Sequence, residues 1–128
     1  MFFKPNIKKL QSKYDIKGIG KLLRDKNSSV RQESAQALLD LLVSDKFRSN
    51  HDMHELIAFQ FKGIDDKDIV SIFVQKVPRL LIVDSVRQPY TEYICLIICL
   101  AGGFDELIEL HQRNADSGLS YIKSWHSL

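Results

Sequence analysis

The chain is poor in residues that break helices or mark β-hairpins. Its 128 residues include only three prolines and six glycines, and no Asn-Gly or Asp-Gly pair occurs. No segment alternates apolar and polar residues between turn signals, so strands are not indicated. Apolar residues recur instead at steps of three and four along the chain, which predicts an all-α protein.

Long apolar runs are also missing. The most apolar stretch is 93–101, YICLIICLA, which is well short of the ~20 residues that a membrane-spanning helix needs. No apolar segment follows the early lysines, so the pattern of a secretory signal is absent. We therefore expect a cytoplasmic protein with no membrane partner, in which 93–101 is a buried core helix.

Cysteine is limited to Cys95 and Cys99, both in that apolar stretch. Four residues apart on a helix, they share one face and can pack as small hydrophobic side chains. The same spacing suits a metal clip, but no other cysteine or histidine lies nearby in the sequence. We therefore expect packing rather than metal binding.

Acidic residues are scarce at the N-terminal end. Through Arg31 the chain has nine basic and two acidic residues, a net charge of +7, whereas the whole chain carries +2. The remainder is therefore mildly acidic, at −5. A basic end attracts nucleic-acid phosphates or an acidic protein surface, and Lys17, Lys21 and Arg24 are its candidate binding residues. A solvated lysine-rich helix would show the same pattern.

The length fits one domain over 1–128, built from short and medium helices. Pro5 and Pro89 suit first helical positions. Asp15 suits an N-cap, and either Asn27 or Ser28 suits the next one. The predicted helices cover 5–14, 16–25, 28–44, 53–61, 65–84, 89–101, 104–114 and 119–126.

Proline and glycine interrupt two of these helices. Pro78 removes a backbone donor and should kink or divide its helix near Val77. Gly18 and Gly20 interrupt an apolar stripe, which indicates either the close approach of a neighbouring helix or a frayed turn. The polar stretch 44–52 is the clearest loop.

The segment 15–42, DIKGIGKLLRDKNSSVRQESAQALLDLL, contains two helices joined by a brief polar turn, each apolar on one side. It resembles a HEAT-like repeat of the kind found in armadillo-type solenoids and in phycobilin-lyase-like repeat proteins, and the resemblance is clear over 15–43. The matching positions are Asp25, Val30, Arg31, Ala35, Ala37 and Leu38. The turn departs from the family, since Lys26 and Ser28 stand where prolines are frequent and Asn27 where Asp is frequent.

The resemblance implies a fold and two structural residues. The fold is a short right-handed α-α superhelix of about three stacked helical hairpins, which hide their apolar sides against one another. In the family the matching Asp and Arg form hydrogen bonds between adjacent repeats. Asp25 and Arg31 are therefore expected to be structural inter-repeat residues.

A second copy of the repeat is fainter and covers 68–101. SVRQ occurs at 29–32 and again at 85–88, and Asp68 with Ile69 precede the second copy much as Asp15 with Ile16 precede the first. The two copies lie 56 residues apart, which exceeds the usual ~40–47. The loop and small helix after Ser44 are therefore expected to be an insertion, and the last hairpin a degenerate repeat.

No catalytic arrangement is legible in the sequence. His51 and His54 lie near Asp52 and Glu55, but the spacing is not that of HExxH. A histidine pair could bind Zn²⁺, although a solvated histidine is common where a loop meets a helix, so the metal alternative stays open. KGIGK lacks the GxxxxGK[ST] pattern of a phosphate loop. We assign no catalytic, metal-binding or cofactor-binding residue.

The function that the resemblance favours is a non-catalytic protein-protein interaction module. Its candidate partner-binding residues form a polar stripe on the second helix of the clear repeat, namely Glu33, Gln36 and Asp40. Solvation alone would also explain such a stripe. The exposed ends of a short solenoid could pair two copies of the chain. The resemblance also suggests a third class, a lyase or hydroxylase.

Overall fold

The computed structural model describes residues 6–83 and 91–113. Within these ranges it contains seven α-helices, one 3-10 turn and no strand, which confirms the all-α class. The helices are α1 (Ile7–Ser12), α2 (Ile16–Leu22), α3 (Ser28–Leu42), α4 (His51–Phe59), α5 (Lys67–Val83), α6 (Thr91–Leu100) and α7 (Phe104–Arg113), and the 3-10 turn is Asp45–Phe47. Pro5, Pro89, the second SVRQ and the predicted helix 119–126 lie outside the described residues.

Side-chain caps fix where the helices begin. Asp15 accepts a hydrogen bond from a backbone N–H in the first turn of α2 at 3.0 Å, and Asn27 does the same for α3 at 2.9 Å. Both predicted N-caps are confirmed, with Asn27 rather than Ser28 in the second position. Asn6 and Asn50 cap α1 and α4 in the same way.

Two helices differ from the prediction, one in its continuity and the other in where it ends. Helix α5 is 17 residues long and continues through Pro78 to Val83, so of the two predicted effects of this proline, a kink or a division, the division is wrong. A proline inside a helix removes one backbone donor, and the remaining hydrogen bonds are enough to carry this helix past it. Helix α2 ends at Leu22 instead of Asp25, because the turn towards α3 starts there and the Asp25 carboxylate accepts a hydrogen bond from Asn27 N at 2.9 Å.

The helices contact one another in alternation. Helix α2 contacts α4 and α4 contacts α6, while α3 contacts α5 and α5 contacts α7. Helices consecutive in the chain also pack together, as α2 does with α3 and α6 with α7. Helix α4, expected to belong to an insertion, therefore packs between α2 and α6.

Alternate helices run in the same direction, because like ends meet. Arg31 at the start of α3 contacts Asp66 just before α5, and Lys67 at the start of α5 contacts Glu106 at the start of α7. The start of α4 likewise meets the start of α6, where the His54 and Tyr93 rings lie 5.1 Å apart between centroids. These three alternate pairs are thus parallel.

The ends of α2 and α4 meet at Gly20, which is buried. A Cβ atom built at Gly20 would collide with the side chain of Gln60, so the glycine allows α4 to approach. Of the two predictions for Gly20, close approach of a neighbouring helix is the one that the structure confirms.

Helix α6 supplies the middle of the core, as its apolar sequence predicted. Ile94, Cys95, Ile97 and Ile98 are all buried, and Cys99 is half-buried. Burial raises the pKa of the Cys95 thiol to about 12, so this side chain packs as an apolar group. Across 6–83 and 91–113, none of the helices combines the length and apolar character needed to cross a bilayer.

Candidate functional site

Helices α3 and α5 leave an open groove of about 310 Å³ between them. Leu39 from α3, which is 1% exposed, and half-buried Ile72 from α5 give the groove an apolar base. Gln36, Gln75 and Lys76 surround this base with amide and ammonium groups. The groove therefore offers both apolar contact and hydrogen bonding over a small area.

The two glutamines of the groove are held along their own helices. Gln36 donates from Nε2 to Asp40 Oδ1 at 2.9 Å, and Gln75 donates from Nε2 to Ser71 Oγ at 3.2 Å. Both bonds join residues four apart, which are neighbours on a helix surface. Because a side-chain amide has two donor hydrogens and two acceptor sites, each glutamine retains capacity for a partner.

One residue of the predicted polar stripe lines this groove. Glu33, Gln36 and Asp40 are all exposed, and Gln36 lines the groove itself. Glu33 and Asp40 lie one turn to either side of Gln36 on α3, whereas Lys76 stands on α5. The predicted stripe includes one residue of the α3 wall, Gln36, and no residue of the α5 wall, because nothing in the local pattern says which helix packs beside α3.

The predicted basic site is only partly assembled. Lys17 and Lys21 are exposed and four residues apart on α2, so they share a side of that helix. The guanidinium of Arg24 is occupied instead, since it donates to the backbone carbonyls of Gly20 and Gln60 at 3.3 Å each and of Lys62 at 2.9 Å. Arg24 thus ties the end of α2 to the end of α4.

Arg31 forms a link between α3 and α5. It donates from Nη1 to the backbone carbonyls of Asp25 at 2.8 Å and Lys26 at 3.1 Å, and from Nε to the Asp66 carboxylate at 2.9 Å. Asp25 joins this link through its backbone, because its carboxylate accepts from the turn. Arg31 thus contacts the two helices that wall the groove.

Asp66 is the partner that sequence reasoning missed. It also accepts hydrogen bonds from Asp68 N at 2.9 Å and Ile69 N at 3.4 Å, so it caps α5. Burial would raise the pKa of the Asp66 carboxyl, but the hydrogen bonds from Arg31 and from these backbone groups outweigh burial and lower it. An Asp just before a helical pattern was a usable cap signal.

The two histidines of the segment 51–55, HDMHE, have different environments. His51 is exposed, and its Nδ1 lies 3.4 Å from Tyr93 Oη. His54 is fully buried, and neither ring nitrogen has a hydrogen-bond partner. The expectation of a solvated histidine is thus correct for His51 and wrong for His54, because α6 covers His54 with Tyr93.

Burial of His54 lowers the pKa of its imidazole, and the neighbouring His51 lowers it further, while the Phe47 carbonyl acts in the opposite direction. The His51 and His54 ring centroids lie 6.2 Å apart. In the described part of the chain, no three His, Cys, Asp or Glu side chains are grouped so that they could hold a metal ion together.

Comparisons with known proteins add no relative. The chain matches no protein-family model, no curated protein and no solved structure. The groove between α3 and α5 is therefore the candidate site on the strength of its own geometry.

Proposed function

We propose that the protein is a non-catalytic protein-protein interaction module of HEAT-repeat type, with its helices stacked as a short right-handed superhelix. The alternation of parallel neighbours supports this arrangement, since α2, α4 and α6 form one series of contacts and α3, α5 and α7 form another. In stacked hairpin repeats, each helix packs against the equivalent helix of the next repeat.

The groove between α3 and α5 carries the functional part of the proposal. Its base is apolar, its sides bear the amides of Gln36 and Gln75, and charges of both signs surround it through Asp40 and Lys76. A polypeptide presents a matching mixture of apolar side chains, backbone N–H groups and carbonyls. A protein segment is therefore the partner whose chemistry fits the groove.

The link from Arg31 to Asp66 favours a groove of fixed width. Arg31 is 28% exposed and Asp66 14%, so solvent screens this ion pair less than it would a pair at the open surface. A groove whose walls are held in place loses little conformational entropy when a partner binds.

The test is affinity capture with the intact chain and a variant carrying Glu33→Ala, Gln36→Ala and Asp40→Ala. The matched control carries Lys8→Ala, Lys9→Ala and Lys13→Ala, three exposed residues on α1 and directly after it that do not line the groove. Captures are run with and without nuclease at two salt concentrations. We expect a nuclease-resistant protein that the control retains and the groove variant loses, while both variants keep the helical circular dichroism of the original chain. Retention by both variants would remove the groove from the proposal.

The second candidate function is nucleic-acid binding through Lys17 and Lys21, which lie exposed on one side of α2. Each phosphate neutralised releases counterions, so replacing both lysines with glutamine should reduce the slope of log K against log salt by about 1.8. Arg24 is left unchanged in this variant because it also holds α4. An unchanged slope, or no nucleic acid in the capture, would exclude this function.

A further inference from the structure

We propose that the contact between the start of α4 and the start of α6 is a proton-sensitive joint, which opens when His54 takes up a proton. This inference is independent of the partner-binding proposal, because it concerns the internal packing of α4. It is carried by a fully buried imidazole whose two nitrogens both lack a hydrogen-bond partner.

The surroundings of His54 suit a neutral ring. The Tyr93 ring lies against it at 5.1 Å between centroids, and the His51 ring stands 6.2 Å away. A charged imidazolium has two N–H donors to satisfy, and its transfer from water into an unpaired buried position is far more costly than that of a neutral ring. Protonation in place is therefore unfavourable.

The helix ends add to this penalty. His51 is the first residue of α4 and His54 the fourth, while Tyr93 is the third residue of α6. The positive ends of two helix dipoles therefore meet at the ring cluster, where they disfavour further positive charge. When His51 also carries a proton, it repels a charge on His54.

Charged groups on the elements packed against α4 do not pair with His54. The 3-10 turn faces His54 with the Phe47 carbonyl, which favours the protonated ring less strongly than burial and His51 oppose it. The charged side chains of the turn, Asp45 and Lys46, are exposed. Exposed Asp52 and Glu55 of α4 and Glu92 of α6 act on Tyr93, raising its pKa after the larger effect of burial.

Helices α3 and α2 also pack against α4, and their described charged side chains do not pair with His54. Helix α3 carries exposed Glu33 and Asp40, and its Arg31 is paired with Asp66. Helix α2 meets α4 at the opposite end, through Gly20 and Gln60. Among the residues that the structure describes, no carboxylate acts on His54 to stabilise the protonated form, and the one titratable neighbour that acts on it is His51.

Solvent lies close enough to hydrate the protonated His54 ring when the joint opens. An open cleft of about 550 Å³ lies beside His51, lined also by Lys46, Ser49, Asn50 and Asp52. Since His51 and His54 are less than one helical turn apart, a small displacement of α4 from α6 would expose His54 to this cleft. A solvated imidazolium then replaces a buried, unpaired ring.

The experiment is amide hydrogen exchange on the intact chain at about pH 5 and about pH 7.5, on either side of the ordinary histidine pKa of ~6.5. After correction for intrinsic exchange, we expect the α4 amides to lose protection on acidification by about tenfold more than the α3 amides. His54→Leu should remove this difference, and His51→Gln should keep it. Equal losses of amide protection in α3 and α4, or a loss in α4 on acidification that persists in His54→Leu, would overturn the proposal.

A second measurement covers the case in which His54→Leu does not fold. The side-chain resonances of His54 are titrated by NMR in the unaltered chain. A midpoint below ~6.5 that coincides with the loss of α4 protection supports the joint. A midpoint at or above ~6.5, or a titration of His54 with α4 still protected, contradicts it.

Discussion

Parallel helices meet at their starts in three places, and two of these contacts, α3 with α5 and α4 with α6, are built differently. Where α3 meets α5, the Arg31 guanidinium pairs with the Asp66 carboxylate at 2.9 Å. Where α4 meets α6, His54 is buried without a partner for either ring nitrogen. A contact held by an ion pair keeps its stability over the pH range in which both partners stay charged. A contact that buries an unpaired titratable group loses stability when that group gains a charge.

The difference fits the proposed roles of the two regions. The contact between Arg31 and Asp66 joins the two helices that form the walls of the α3–α5 groove, and the proposed partner binding favours a groove of constant shape. The α4–α6 contact contributes no residue to the lining of that groove.

The largest expected effect comes from breaking the α3–α5 contact. Asp66→Ala removes the cap of α5 and leaves Arg31 half-buried without its carboxylate, which should cost about 2 kcal/mol of unfolding free energy. Urea denaturation followed by circular dichroism measures this loss. The control is Asp65→Ala, because Asp65 is the exposed preceding residue and should have little effect. Equal losses in the two variants would contradict the assigned contact.

Acidification should separate the two contacts. The pKa of His54 is lower in the folded chain than in the unfolded chain, so the stability it contributes is complete above ~6.5 and falls as the pH drops below that value. The slope can reach about 1.4 kcal/mol per pH unit. The pKa of Asp66 is also lowered, and its contribution is lost only below ~3.9.

Thermal unfolding followed against pH tests this separation. We expect the first loss of stability to disappear in His54→Leu and the second to disappear in Asp66→Ala. A single loss below ~3.9 in the unaltered chain would show that His54 does not govern stability.

A smaller effect is expected where α2 meets α4. Arg24→Met keeps much of the side-chain length but removes the hydrogen bonds to Gly20, Gln60 and Lys62, which should cost about 1 kcal/mol. Lys21→Met is the control, because it removes an exposed positive charge from the last turn of α2, three residues before Arg24. Chemical denaturation should leave this control close to the original chain, and equal losses would assign the effect of Arg24 to its charge alone.

The smallest effect is expected at the start of α7. Lys67 and Glu106 form a salt bridge of 2.8 Å, but the Lys67 side chain is 64% exposed. Exposed ion pairs contribute little because water screens them. Lys67→Met should therefore leave the thermal midpoint unchanged within error. A clear fall would show that this bridge resembles the one between Arg31 and Asp66.

Local features of the fold were predictable from the sequence, and the contacts between distant residues were not. Asp15 and Asn27 act within two or three residues of themselves, so their capping roles follow from local spacing. Arg31 pairs with a residue 35 positions away, and Arg24 bonds to a carbonyl 38 positions away. The spacing of apolar and polar residues along a helix does not specify such pairings.

The same limit applies to the candidate site. The polar stripe containing Gln36 was visible as helical spacing, whereas its facing wall depends on α5 packing beside α3. The burial of His54 depends on α6 in the same way. The HDMHE pattern alone gives no sign that Tyr93, 39 positions further on, covers one of its two histidines.

The central claim is that the groove between α3 and α5 binds a protein, and photo-crosslinking from inside the groove tests it most directly. A photoreactive amino acid replaces Gln75, which lines the groove from the wall that sequence reasoning missed, or Lys13 as an exposed control. Irradiation in cells should give a discrete protein adduct from position 75 that position 13 does not give, and Gln36→Ala should weaken it. Identical adducts from both positions, or nucleic acid as the only adduct, would contradict the claim.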